Sequence, residues 1–139
     1  SGNFTIYKIK QLKRDIESRE DIEKMVTLFY EKVKVDKPIG FIFTEVVSIN
    51  WQKHIPLIVD FWETILLDNP VYKNNAMEVH YHINKMVPLQ DEHFKSWLQL
   101  FNNSIDELFE GEKTILAKTR AKSIAGLMLF KMSGINKAL

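Results

Sequence analysis

Apolar residues recur every three or four positions along most of this chain, which is the spacing of one face of an α-helix. A first helix is predicted over about residues 19–34, with Ser18 as its N-cap because Asp21 follows three residues later. Its apolar positions are Ile22, Met25, Val26, Phe29 and Val33, with Tyr30 beside them. The segment 38–43 contains a proline and a glycine and is predicted to be a tight connector.

A second helix is predicted from about residue 50 to residue 67, with Ser48 or Asn50 as its cap. Pro56 lies inside this helix and should bend it, since the proline ring removes one backbone hydrogen bond. One face combines apolar side chains with a single histidine: Trp51, His54, Ile58, Phe61 and Ile65. Taken alone, such a face is more often part of a core than a ligand site.

Three more helices complete the pattern. A short one is predicted over about 75–83, and two longer amphipathic ones over about 90–110 and 112–132, with Gly111 between them. The first of the long helices carries a broad apolar face, and the last a narrower one of smaller residues: Phe94, Trp97, Phe101, Ile105 and Leu108, then Ala117, Ala121, Ile124, Ala125 and Met128. Residues 4–12 alternate weakly and fit either an extended arm or a short helix. The sequence therefore predicts an all-α fold with no strand.

Length and composition exclude several classes of protein. A chain of 139 residues forms one domain, and the 45% apolar and 27% charged residues are ordinary for a globular one. Nineteen basic and eighteen acidic residues leave a formal charge of +1, which favours neither nucleic acid nor a membrane surface as a partner. There is no cysteine, no apolar run long enough to span a membrane and no secretory pattern, so we expect a cytoplasmic protein.

The four histidines are the first candidates for chemistry. His93 lies in a polar helical turn and is predicted to face solvent, whereas His80 and His82 are two positions apart and would point in different directions on a helix. The metal-ligand spacing HExxH, the nucleophile motif GxSxG and a phosphate-binding glycine loop are all missing. One imidazole, apolar walls and the polar hydrogens of Tyr30 and Trp97 would suit a large flat ligand with a metal centre.

Four segments, taken in order, resemble the truncated haemoglobins, most closely their third group. They are residues 28–33 around Tyr30, residues 51–54 followed by Phe61 and Trp62, the series Tyr72, Met77 and His80, and residues 93–101 around Trp97. The match runs from about residue 18 to residue 132 in closely similar spacing. It predicts a truncated globin domain over 18–139, preceded by an arm or short helix over 1–17 that lies outside the match.

This resemblance implies a two-over-two helical sandwich around haem b. His80 is then the iron ligand, with His82 as the main rival. Tyr30, His54 and Trp97 line the distal side, where oxygen or nitric oxide binds. The resemblance also assigns haem contacts to Phe43, Ile58, Phe61, Tyr72, Met77 and Trp97. Two departures from the family pattern are Pro56, which could shift His54, and the pair 74–75, where relatives carry a glycine.

The number of distal donors suggests a function. Two or three donors exceed what oxygen carriage needs, so redox chemistry or detoxification is expected rather than bulk oxygen transport. His54 is a candidate acid or base for an enzymatic activity, and a reductase is the expected protein partner. Two other interpretations remain open: a haem-based sensor that acts through a separate partner, and a haem-free helical interaction module.

Overall fold

The structure, a computed structural model, describes residues 13–73 and 76–138, except the side chains of 76–79, 82 and 138. Within these residues it contains five α-helices and a π-helical turn and no strand, which confirms the all-α prediction. The helices are α1 (Arg19–Val35), α2 (Trp51–Leu66), α3 (Ala76–Met86), α4 (Asp91–Leu108) and α5 (Glu112–Ala138), and the π-helical turn is Ile42–Val46.

The helix ends follow the local sequence signals only in part. Ser18 Oγ accepts a hydrogen bond from the Asp21 amide at 3.3 Å, so the predicted cap of α1 is confirmed. Asn50 occupies the N-cap position of α2, but its side chain makes no capping hydrogen bond. The last helix runs six residues beyond the predicted end at Met132. Gly134 lies within this run without ending the helix, and residues on both sides of it contact the rest of the domain: Met132 is 0% exposed, and Asn136 hydrogen-bonds Asn84.

The helices pack around one core. α1 packs against α2 and α4, and α4 packs against α5, contacts that agree with the two-over-two arrangement that the family resemblance implies. Phe101 lies at the centre of this core. Its ring stacks on Trp62 with centroids 4.9 Å apart and on Trp97 at 5.8 Å, and meets Phe29 edge-on. These bulky contacts bring α1, α2 and α4 together.

The apolar side of α2 is broader than the predicted stripe. Its most buried side chains are Val59, Trp62 and Leu66, each 4% exposed or less. The predicted stripe through His54 and Ile58 is only half-buried. Both sets of residues lie on one wide apolar side of the helix, and the sequence pattern does not reveal which part of so wide a side meets the core. Pro56 lies within the continuous run of α2.

The described residues before α1 are part of the packed domain. Ile16 is 1% exposed and belongs to the hydrophobic core. The Arg14 guanidinium binds both carboxylate oxygens of Asp21, which also accepts the Glu17 amide at 2.9 Å. The predicted arm over residues 4–12 lies outside the described residues. Among the helices of the described part, none is long and apolar enough to cross a membrane.

Candidate functional site

A cavity opens between the π-helical turn and helices α1 to α5. Its polar and aromatic lining comes from Tyr30, Phe43, His54, His80, His93 and Trp97. Its apolar walls include Ile39, Ile42, Ile83, Leu89, Phe94 and Met128. The empty space measures about 680 Å³ when the part open to solvent is included. Five of the nine predicted site residues meet here: Tyr30, Phe43, His54, His80 and Trp97.

Tyr30 and His54 form a hydrogen-bonded pair on this cavity. The Tyr30 hydroxyl lies 2.9 Å from His54 Nε2, and the two rings meet edge-on with centroids 5.1 Å apart. The direction of the bond depends on which ring nitrogen of His54 carries the proton. The histidine therefore points inward despite Pro56 two residues later. Trp51 packs on both rings, with centroids 5.2 Å from Tyr30 and 5.8 Å from His54.

Burial controls the protonation of this pair. The Tyr30 side chain is 6% exposed, and burial raises the pKa of its hydroxyl far above the ordinary value, so the group keeps its proton at neutral pH. Burial also lowers the pKa of His54, and the positive charge that His80 can carry lowers it further. Near neutral pH the cavity therefore holds a protonated phenol beside a neutral imidazole, which suits hydrogen bonding to a small polar ligand.

His80 and His54 reach the cavity from different helices. His80 is half-buried on α3. Ile83, three residues later, lies on the same side of the helix and also lines the cavity. Met77 and the rival ligand His82 have backbone positions in α3, but their side chains lie outside the described residues. So do residues 74 and 75, where the sequence departs from the family pattern.

The other predicted contacts line a second, smaller cavity. Ile58, Phe61 and Tyr72 surround it, and Tyr30 and Trp97 belong to both cavities. Phe61 meets Tyr72 edge-on with ring centroids 5.2 Å apart, and the backbone amide of Tyr72 donates to Thr64 Oγ1 at 3.0 Å. The nine predicted site residues, apart from Met77, thus divide between two cavities that share an aromatic wall.

His93 departs from the prediction that it faces solvent. It is half-buried and lines the main cavity. Its Nδ1 accepts a hydrogen bond from the backbone amide of Gln90 at 2.9 Å, which forms part of the cap at the start of α4. The polar residues Asp91 and Glu92, which lie between Gln90 and His93, made this turn look solvent-exposed in the sequence. Leu89, which also lines the cavity, belongs to a loop for which helical periodicity gives no signal.

The residues present fit a haem. A flat ring needs apolar walls of aliphatic and aromatic side chains, which the main cavity supplies from four helices and the π-helical turn. Its metal needs a nitrogen ligand, and His80 is an imidazole in that cavity. A small ligand on the metal needs hydrogen-bond donors, which Tyr30, His54 and Trp97 can provide. The chemistry of the donor set therefore agrees with the expected cofactor.

The chain is similar to a known protein in sequence and to a solved structure in fold. The chain is 32% identical over 123 residues to a group 3 truncated haemoglobin of Campylobacter jejuni, covering 84% of this chain and 94% of the relative. It also matches the crystal structure of the group III truncated haemoglobin from Campylobacter jejuni with a TM-score of 0.74. That match has 29% sequence identity and covers 87% of this chain and 95% of the solved one. No protein-family model matches the chain.

Proposed function

The chain belongs to the group III truncated haemoglobins, and on that premise we propose that it binds one haem b per chain, with His80 as the iron ligand. The proposal rests mainly on one observation: His80 and His54 belong to separate helices and line the same apolar cavity. Phe43 and Trp97 would pack against the haem ring, and we propose Ile58, Phe61, Tyr72 and Met77 as further haem contacts.

The chain's own residues define what happens beside the haem. Haem iron supplies, when bound, an open coordination position for a diatomic gas such as oxygen or nitric oxide. Tyr30, whose hydroxyl keeps its proton, would donate a hydrogen bond to that gas, and His54 would hold the hydroxyl in place. The Trp97 indole is a further donor on the same cavity. Donors held in apolar surroundings stabilise negative charge more strongly than donors in water.

This donor set favours slow release of the gas and therefore chemistry on it. We assign the protein to redox reactions or detoxification of oxygen or nitric oxide rather than to bulk oxygen transport. His54 is the candidate acid or base, because its lowered pKa leaves it neutral near pH 7. Such a role needs an external electron donor, so a reductase is the proposed partner. The absence of cysteine is compatible with the proposed cytoplasmic location.

Two measurements test this function. Purified protein loaded with haemin should contain one haem b per chain by the pyridine haemochrome spectrum; no stoichiometric uptake would contradict the cofactor. In the loaded, reduced protein, Tyr30→Phe should accelerate oxygen dissociation by about 10-fold to 100-fold, since a hydrogen bond to a charged group contributes about 1.5–3 kcal/mol. Tyr81→Phe on α3 is the matched control. Equal rates in wild type and Tyr30→Phe would contradict the donor role.

A further inference from the structure

A buried amide lies one helical turn beyond His80 on α3. The Asn84 side chain is 5% exposed, and its position four residues after His80 places both on the same side of the helix. Asparagine is seldom so fully buried, and a buried amide without partners costs about 1–3 kcal/mol. The hydrogen-bond partners of Asn84 therefore show why a polar side chain is tolerated at this buried position.

Asn84 pairs with Asn136 at the far end of α5. Asn84 Nδ2 donates to Asn136 Oδ1 at 3.0 Å, and Asn136 Nδ2 donates back to Asn84 Oδ1 at 3.2 Å. The backbone of Leu89 completes the cluster. Its amide donates to Asn84 Oδ1 at 2.7 Å, and its carbonyl accepts from Asn136 Nδ2 at 3.4 Å. Two side chains thus tie together α3, the loop that follows it and α5. We call this set the amide clamp.

The clamp joins three parts of the chain that line the main cavity: α3, the loop after it and α5. In the described part of the chain, α5 is the principal helix against which the short helix α3 packs. Ile83, adjacent to Asn84, and Leu89 both line the cavity, so the clamp borders the wall that contains His80. Amide hydrogen bonds are directional, whereas apolar contacts between α3 and α5 would tolerate sliding or rotation. The hydrogen bonds of the clamp therefore favour one position of α3 along α5.

We propose that Asn84 and Asn136 are positioning residues for the iron ligand: the amide clamp holds α3 in the register and rotation that direct the His80 imidazole into the cavity. This inference rests on the proposed function, because it assumes that His80 binds haem iron. Groups that hydrogen-bond a metal-binding histidine change metal affinity by about 10-fold to 100-fold when they are removed. The amide clamp acts through the helix, so an effect at the lower end of this range is expected.

The test compares Asn136→Ala with wild type after both are loaded with haemin. Asn136 is half-exposed and outside the cavity, so this variant should fold, whereas Asn84→Ala leaves the Leu89 amide without its acceptor. The expected results are a shifted iron–histidine stretching band in the resonance Raman spectrum of the reduced protein and haem loss to a scavenger accelerated about tenfold. Asn136→Asp, which still accepts from Asn84, should recover part of both changes. Asn103→Ala, at an exposed position on α4, is the control.

Each outcome separates this inference from the proposed function. If Asn136→Ala has the iron–histidine band and the haem-loss rate of wild type, the positioning role is wrong. This holds even if the variant has a lower melting temperature, because a contact that only stabilises the fold would change the melting temperature alone. Failure of wild type to bind haem would instead overturn the proposed function. If Asn84→Ala also folds, its rate of haem loss should not rise further when Asn136→Ala is added, since the two amides act as one unit.

Discussion

Replacing Asp15 with alanine removes an interaction that joins the segment before α1 to the start of α5. The Asp15 carboxylate accepts the backbone amides of Lys113 and Thr114 at 2.8 and 3.0 Å, and the Thr114 hydroxyl at 2.8 Å. A residue almost one hundred positions away in sequence therefore caps the longest helix of the described chain. Thr114 is 2% exposed, so its hydroxyl is a buried group that loses its Asp15 partner in this variant.

The magnitude follows from these contacts. Loss of a helix cap costs about 1 kcal/mol, within a range of about 0.5–2. A buried hydroxyl left without its partner adds about 1–3 kcal/mol. Asp15→Ala should therefore lower the free energy of unfolding by about 2–4 kcal/mol. Asp15→Asn keeps an acceptor oxygen but loses the negative charge at the helix N-terminus, and about half of that loss is expected.

Equilibrium urea unfolding followed by circular dichroism measures the effect. The midpoint should fall while the slope of free energy against urea concentration stays unchanged. Glu17→Ala is the matched control, because this carboxylate is exposed and two residues away, and it should change the free energy by less than about 0.5 kcal/mol. If Asp15→Ala were as stable as Glu17→Ala, the capping argument would be wrong.

Three further predictions concern the same domain. Gly111→Ala should destabilise by about 2 kcal/mol or more in the same urea assay, because Gly111 has φ +148° and an added Cβ would lie 2.5 Å from Asp15 Cγ; wild-type stability would refute the clash. The Arg14 guanidinium holds the pKa of Asp21 well below its ordinary value, so the ion pair stabilises the folded protein. This stabilisation should be complete above about pH 4 and should be lost as the pH falls further. In Asp21→Asn the free energy of unfolding should therefore depend less on pH in acid, and the same pH dependence as in wild type would contradict this. Phe101→Ala should cost about 3–5 kcal/mol by thermal or urea unfolding, and a loss below about 1 kcal/mol would show that its aromatic stack is loosely packed.

Helical periodicity was sufficient to predict the helices of the fold, but not to predict the surroundings of each side chain. The apolar stripes of α1 and α4 became core faces, since Met25, Val33 and Ile105 are fully buried. Periodicity alone would have left Tyr30 and His54 as ordinary residues beside an apolar stripe. The order and spacing of the family motifs placed them in one site, and the structure brings them within hydrogen-bonding distance.

The missed features all depend on contacts between distant parts of the chain. Asp15 looked like one of many charged residues in a segment outside the family match, yet its partners are at the start of α5. Asn84 became informative only when Asn136, fifty-two positions later, was seen beside it. His93 lies in a polar turn, and its burial is set by the packing of α4 on the cavity. The division of the chain at residue 17 stays a prediction, although Ile16 packs in the core.

The central claim is that His80 binds the iron of one haem per chain. A haemin titration followed by Soret absorption, on wild type, His80→Ala and His82→Ala, tests it most directly. We predict a sharp band that saturates at one haem per chain in wild type and His82→Ala, and a lost or grossly altered band in His80→Ala. An unaltered band in His80→Ala would require a different ligand. Absence of stoichiometric binding in wild type would contradict the haem site and favour a haem-free interaction module.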